Sequence, residues 1–152
     1  MRDCAIPSGK AIFFPVLNSA QDNVGPPITD LPPEELRSKC EAFVADPEKL
    51  AVTLDGQSLK HLEDYVIKPT LFSYTVPDIP DNIYRAVLGL DFAGDVLPPG
   101  AYSCGYYVML APLSKGEHTL HIEAQNDGFA LDVLYHLDIG AKAAKAPGKS
   151  RT

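Results

Sequence analysis

The run Glu117-His-Thr-Leu-His-Ile-Glu-Ala124, followed after a turn by Phe129-Ala-Leu-Asp-Val-Leu-Tyr-His-Leu-Asp-Ile139, decides the fold. Apolar and polar residues alternate through both runs, which is the period of a β-strand with one buried face. Apolar residues fall opposite one another when Ile122 pairs with Val133 and the other pairs follow from that register. The predicted pairs are Leu120 with Tyr135, Ile122 with Val133 and Ala124 with Leu131. The connection then lies at residues 126–129, around the turn-forming pair Asp127-Gly128.

Other strand-like runs come earlier in the chain, including Ala101-Tyr-Ser-Cys-Gly-Tyr-Tyr-Val-Met-Leu110 and Leu50-Ala-Val-Thr-Leu54, which Asp55-Gly56 follows as a second hairpin signal. One α-helix is predicted near residues 33–45, because apolar side chains recur there at helical spacing. We therefore expect an all-β fold: an antiparallel β-sandwich, Ig-like or jelly-roll-like, of about seven or eight strands with this one inserted helix. Residues 77–97 show no clear period, and a ligand site is expected to border this long loop.

Length and charge set the domain organisation. A chain of 152 residues with 45% hydrophobic content favours one β-sandwich domain, assigned to residues 1–140. Residues 141–152 have four basic residues, no acid and no large apolar residue, which predicts a disordered basic tail. The net charge is −7, so the rest of this acidic protein is more negative still, and nucleic-acid binding is disfavoured. No run approaches the ~20 apolar residues of a membrane span, and the first residues lack the apolar segment of a signal peptide.

Three cysteines cannot all pair within one chain. In an oxidising compartment Cys4 and Cys40 are the candidate disulfide, which leaves Cys104 in a strand. The count alone favours three reduced thiols.

The polar face of the last hairpin provides a candidate metal site. The predicted register brings Glu123 opposite Asp132 and puts His121 and His136 on a diagonal. Imidazole nitrogens and carboxylate oxygens bind divalent metals, so His121, His136, Glu123 and Asp132 form a candidate metal set. Alternation also requires polar residues on a solvated face, and we favour that interpretation, with no cofactor.

A second surface is suggested by tyrosines, which combine contact area with a polar tip. Tyr102, Tyr106 and Tyr107, with Asp91 and Asp95 in the preceding loop, are candidates for binding a protein or carbohydrate. No catalytic residue is predicted, because the chain has no Gly-x-Ser-x-Gly elbow and no glycine-rich phosphate loop. Gly94-Asp-Val-Leu-Pro-Pro-Gly100 resembles one half-motif of the cupins, but the histidine pair of His118 and His121 has the wrong spacing for that family.

Five segments together resemble a group of uncharacterised bacterial exported proteins that have single β-sandwich domains and no assigned activity. They are Ser8-Gly-Lys-Ala-Ile-Phe-Phe-Pro-Val-Leu-Asn18, the Glu35-Leu-Arg-x-x-Cys40 helix, the strand ending in Asp55-Gly56, Ala111-Pro-Leu-Ser-Lys-Gly-Glu-His118 and Asp132-Val-Leu-Tyr-His-Leu137. The resemblance implies a periplasmic or extracellular location. In that group a cysteine after the Leu-Asn segment suits pairing with the helix cysteine. This chain has Ala20 in that region, so the resemblance implies a bridge only if Cys4 replaces the missing cysteine.

Three functions follow as hypotheses. The first is a non-catalytic binding or interaction module of exported bacterial type. The second is a metal-binding protein or a metal-dependent, cupin-like enzyme. The third is a structural subunit that forms homo-oligomers through unpaired edge strands.

Overall fold

The structure is a computed structural model that describes residues 1–24 and 31–140, with the backbone alone at residues 96–100. The predicted class, an all-β sandwich with one inserted helix, is confirmed. Two sheets contain eight strands within the described ranges, in the orders β1-β8-β7-β3-β4 and β2-β6-β5. The strands are β1 Arg2–Ile6, β2 Ile12–Asp22, β3 Lys49–Leu54, β4 Gln57–Ser58, β5 Val66–Val76, β6 Gly94–Leu110, β7 Gly116–Asn126 and β8 Phe129–Ile139. The helices are α1 Pro33–Val44, a 3-10 turn Leu62–Tyr65 and α2 Ile83–Ala86.

The chain groups into two compact units. The first contains Met1–Val16, Glu48–Tyr65 and the chain from Tyr107 onward, and the second contains Leu17–Pro47 and Val66–Tyr106. The single-domain assignment to residues 1–140 stays a prediction. The predicted basic tail, residues 141–152, lies outside the described residues. None of the described helices is both long and apolar enough to cross a membrane.

The hairpin of β7 and β8 has the predicted register. Leu120 pairs with Tyr135, Ile122 with Val133 and Ala124 with Leu131. The apolar face of β7 is buried, with Leu120 and Ile122 each only 3% exposed. Burying the apolar face selects this register because a slip of one residue would turn the whole set towards water.

The five-stranded sheet grows from this hairpin on both sides. β3 pairs antiparallel with β7 and is followed by the turn at Asp55-Gly56, where both residues have positive φ. The strand after that turn is only the two residues Gln57–Ser58. On the other side β1 pairs with β8 in parallel, which brings the N-terminal strand beside the end of β8.

The second unit contains α1. Its first turn has Pro33 and two acidic residues, which suit the free N–H groups and the positive end of the helix dipole. Leu36, Cys40 and Val44 form its buried face. Cys40 is bonded to Cys104 of β6, and both are within 1% of complete burial.

The predicted Cys4–Cys40 bridge is therefore wrong, and so is the preference for three reduced thiols. Cys4 is a free thiol. It lies in β1 of the five-stranded sheet, where its backbone is opposite Leu137 of β8. The helix face that buries Cys40 packs within the second unit, where Cys104 also lies. Position in the fold, rather than the order of cysteines in the chain, selects the partner.

The loop that lacked a clear pattern is partly ordered by polar contacts. Asn82 caps α2 by accepting the Arg85 N–H, and its amide donates to the carbonyls of Pro77, Ile79 and Phe92. β6 begins at Gly94, seven residues before the strand expected from the sequence. The buried Asn82 amide therefore adds side-chain hydrogen bonds to the few backbone ones of this segment.

Candidate functional site

The first unit contains an open cleft of about 690 Å³. It is formed by β1, β8 and β7, with the turn after β3. Four acidic residues and two histidines are among its ten lining residues, and no lysine or arginine is among the described residues that line it. The lining residues are Asp3, Cys4, Ala5, Asp55, Glu117, His118, Thr119, His136, Leu137 and Asp138.

Strand pairing explains why these residues meet. The parallel pairing of β1 with β8 puts Asp3 beside His136 and Ala5 beside Asp138. The antiparallel pairing of β8 with β7 continues the same rows to Thr119 and Glu117. Neighbouring strands are about 4.8 Å apart, so the carboxylates of Asp3, Asp138 and Glu117, one from each of three adjacent strands, lie close together. The cleft therefore concentrates negative charge.

His118 is the most constrained polar group of the cleft. Its side chain is only 13% exposed, and its Nδ1 lies 2.6 Å from the Oδ2 of Asp55. The other carboxylate oxygen of Asp55 accepts the Thr119 N–H at 2.8 Å. The Nε2 of His118 lies 3.0 Å from the carbonyl oxygen of Ser114 and 3.3 Å from the Ser114 hydroxyl. His118 therefore holds the β3–β4 turn against the start of β7.

These contacts shift the pKa values of His118 and of Asp55. The hydrogen bond to Asp55, followed by that to the Ser114 carbonyl, raises the pKa of His118 above its ordinary 6.5. The hydrogen bond from His118, followed by that from the Thr119 N–H, lowers the pKa of Asp55 below its ordinary 3.8. Both shifts favour an imidazolium–carboxylate pair, because each charged form has its partner in place.

Ser114, His118 and Asp55 have the composition of a catalytic triad, but the geometry favours a clamp. A serine can be activated only by a histidine nitrogen that is free to accept its proton. The Nε2 of His118 faces a carbonyl oxygen, which can only accept a hydrogen bond, so this nitrogen is held in its protonated form. The contact therefore joins segments of the chain rather than preparing a nucleophile.

The predicted metal set is brought together in part. His121, Glu123 and Asp132 each offer a ligand atom, and these atoms lie within 4.8 Å of one another. His121 Nε2 is 2.7 Å from Asp132 Oδ1, and Lys49 Nζ is 2.5 Å from Glu123 Oε1. The fourth member, His136, lies instead beside Asp3, with 3.5 Å between Nδ1 and Oδ1.

The opposed acids of this cluster already have cationic neighbours. Glu123 and Asp132 are direct cross-strand partners, and like charges in that position destabilise a sheet. Lys49 offsets the charge of Glu123, and His121 contacts Asp132. The cluster is therefore chemically able to bind a metal, but only in competition with Lys49 and with protons.

The tyrosines predicted to form a binding surface are divided between the two faces of β6. Tyr106 is buried, whereas the next residue, Tyr107, turns to the opposite face of β6 and stacks on Phe13 with ring centres 5.5 Å apart. Tyr102 is half-buried. The three tyrosines therefore do not share one face of the strand.

The two aspartates predicted with them are exposed and paired. Asp91 Oδ1 accepts from Arg85 Nε at 2.7 Å, and Asp95 Oδ1 accepts from the Thr75 hydroxyl at 2.6 Å. A ligand at either carboxylate would have to compete with these contacts.

A polar cluster in the second unit was not predicted. The hydroxyls of Tyr74 and Tyr84 donate to Asp22 Oδ2 at 2.6 and 2.8 Å and also contact each other. Burial, together with the hydrogen bond to Asp22, raises the pKa of Tyr84 to about 12 and that of Tyr74 further. Tyr84 packs there with Val76, Phe92 and their neighbours, so the cluster is part of a core.

The sequence contained only an indirect signal for the cleft. The Asp55-Gly56 turn and the start of β7 were both predicted, but nothing local shows that β1 joins β8 in parallel. The same limit applies to the tyrosine cluster, whose members lie 52 and 62 residues from Asp22.

Comparisons with known proteins give no functional assignment. No family model matches the chain. No curated protein matches it either. Among solved structures, the solution structure of Amebosin is similar over 90% of this chain and 87% of that one, at 7% identity and a TM-score of 0.26. A similarity at that level carries no argument about fold or function.

Proposed function

We propose that this chain is a non-catalytic binding module whose acidic cleft holds a ligand with ammonium or guanidinium groups. The lining of the cleft carries the proposal: four carboxylates and two histidines border it, and no described lysine or arginine does. Its volume of about 690 Å³ is in the range of ligand sites. A concave surface lined by one sign of charge focuses its field and attracts the opposite charge. Such groups occur on basic peptide segments and on small amines.

An exported origin is part of the proposal. Disulfides persist in oxidising compartments and are rare in the cytosol. The buried Cys40–Cys104 bond supports a periplasmic or extracellular location, in agreement with the bacterial exported proteins that the motifs resemble.

The test uses tetralysine as the probe and calorimetry at low ionic strength. The variant Asp3→Asn/Glu117→Gln/Asp138→Asn removes three carboxylates of the cleft. The control Glu34→Gln/Asp64→Asn/Asp81→Asn removes the same charge from exposed positions elsewhere. We expect the cleft variant to bind at least about tenfold more weakly and the control to bind nearly as the parent does.

Salt and the control separate a local site from general attraction. Affinity for tetralysine should fall as ionic strength rises, since the contacts are between charges. Equal weakening in both triple variants would show that net charge alone attracts the probe. Absence of binding at millimolar tetralysine and low salt would refute the proposal.

Metal binding is a second candidate, favoured by the three ligand atoms within 4.8 Å in the hairpin. Nitrogen and oxygen ligands around Zn²⁺ lie roughly 3.3 Å from one another, so small side-chain movements and release of Lys49 would be required. Calorimetric titration with Zn²⁺ tests it, with His121→Gln as the variant and His136→Gln as the matched control. Binding that is lost in the first and kept in the second would support the candidate. Equal effects, or no binding, would remove it.

Assembly through edge strands has less support. β5 is an edge strand of the three-stranded sheet and exposes Val66, Ile67, Leu71 and Phe72. Its register shifts between Ile67 and Thr70, where the chain has Lys68 and Pro69. A lysine, a proline and an irregular pairing are the devices by which natural edge strands avoid pairing with other chains.

A further inference from the structure

We propose that the acidic cleft releases its cationic ligand on acidification, and that proton uptake by His118 drives the release. This inference rests on the proposed function and adds its regulation. It depends on one geometric fact: the imidazole of His118 contacts Asp55, one of the carboxylates that border the cleft and that the ligand would use.

The pair of His118 and Asp55 is the element that changes its charge. When His118 is protonated, its positive charge compensates the Asp55 carboxylate at 2.6 Å, and the pair is neutral towards a ligand. When His118 is neutral, its one remaining N–H can serve either Asp55 or the Ser114 carbonyl, and the negative charge of Asp55 is no longer compensated. Loss of one proton thus makes the cleft more negative by one unit and strengthens its attraction for a cation.

Other ionisable groups near His118 also contribute to the charge of the cleft. His118 follows the exposed Glu117, whose side chain lies on the opposite face of β7, and its Nε2 contacts Ser114. The other ionisable groups of the cleft come from β8 and β1 and are His136, Asp138, Asp3 and Cys4. Lys115 lies just before β7 and does not line the cleft. His136 contacts Asp3, with 3.5 Å between Nδ1 and Oδ1.

The affected pH range follows from the contacts of His118. Hydrogen bonds to Asp55 and to the Ser114 carbonyl raise the pKa of His118, so the proton is lost above the ordinary value of 6.5. Carboxylates stay ionised through that range, and lysine ammonium groups of a ligand stay protonated. The affinity should therefore rise with pH between about 5.5 and 8.5, where imidazole is the side chain that ordinarily titrates.

Linkage gives an independent signature. If deprotonation of His118 strengthens ligand binding, then bound ligand must make His118 easier to deprotonate by the same factor. An NMR titration of the His118 ring protons, with and without tetralysine, measures this effect on the parent protein. It needs no substitution at His118.

The experiment combines that titration with calorimetry of tetralysine at pH values from about 5.5 to 8.5. We expect the affinity to rise about threefold to tenfold over this range, as one unit charge at contact distance predicts. His118→Gln should remove most of the rise, and His61→Gln, an exposed histidine that does not line the cleft, should keep it.

The outcomes distinguish the two proposals. Binding that does not vary with pH, an unchanged NMR titration of His118, or a full rise in His118→Gln would each overturn the inference and leave the binding module in place. If tetralysine binds at no pH, both proposals fall.

Discussion

Removal of the Cys40–Cys104 disulfide should cost about 4 kcal/mol of unfolding free energy. The bond closes a loop across a sequence separation of 64 residues. A cross-link restricts the unfolded chain, and the loop-closure entropy for this length gives about 4 kcal/mol at 25 °C. Both cysteines are buried, so alanine at the two positions also removes packed sulfur atoms, which adds to this loss.

The assay is equilibrium unfolding in urea, followed by circular dichroism, of Cys40→Ala/Cys104→Ala and of Cys4→Ala as the control. With a denaturant dependence of about 2 kcal/mol per molar urea, the midpoint of the double variant should fall by about 2 M. Cys4 is free, so its substitution should shift the midpoint far less. A double variant within about 1 kcal/mol of the parent, or thiol titration that finds three free thiols in the unfolded, unreduced parent, would refute the reasoning.

Three further predictions use the same physical arguments. Gly105→Ala should destabilise the fold by at least about 2 kcal/mol, because a Cβ there would lie 2.3 Å from the Leu17 carbonyl oxygen and φ is +148°; an unchanged melting temperature would contradict this. Burial and hydrogen bonding raise the pKa of Tyr84 to about 12 and that of Tyr74 further. When the folded protein is titrated to about pH 11 and followed by absorbance, no more than five of its seven tyrosines should ionise. Ionisation of all seven before unfolding would count against the cluster. Because the pKa of His118 is raised above its ordinary value of 6.5, its contribution to stability is complete below pH 6.5 and is lost as the pH rises through the raised pKa. His118→Gln should therefore lower the melting temperature at about pH 5.5 and have less effect near pH 9. A larger effect at the higher pH would be inconsistent with the clamp.

The hairpin of β7 and β8 shows which structural features can be predicted from residues close together in the sequence. Its register was predictable because burial of Leu120 and Ile122 excludes every pairing that turns them to water. The helix was predictable for the same reason, since Leu36, Cys40 and Val44 recur at its period. Three of the four predicted metal ligands also converge in this hairpin, whereas His136, farther along β8 and opposite Thr119, lies beside Asp3.

Predictions that depended on partners far along the chain were incomplete. The contact of His118 was not predicted, because its partner Asp55 lies 63 residues away. The start of β6 was placed too late, since its pairing with β5 extends a strand that local pattern does not mark. Tyr106 and Tyr107 were grouped by sequence proximity, although neighbouring strand residues face opposite ways.

The sequence by itself determined the strand periods, the two turns with glycine, the helix and the register of the last hairpin, because each depends on residues close together in the chain. Only the tertiary structure decided which cysteine bonds to Cys40, where His118 finds its carboxylate and how four acids gather in one cleft. Those outcomes depend on which segments become neighbours when apolar faces are buried, and burial is non-directional. Alternation specifies which side of a strand is buried, but it does not specify which distant strand lies beside it.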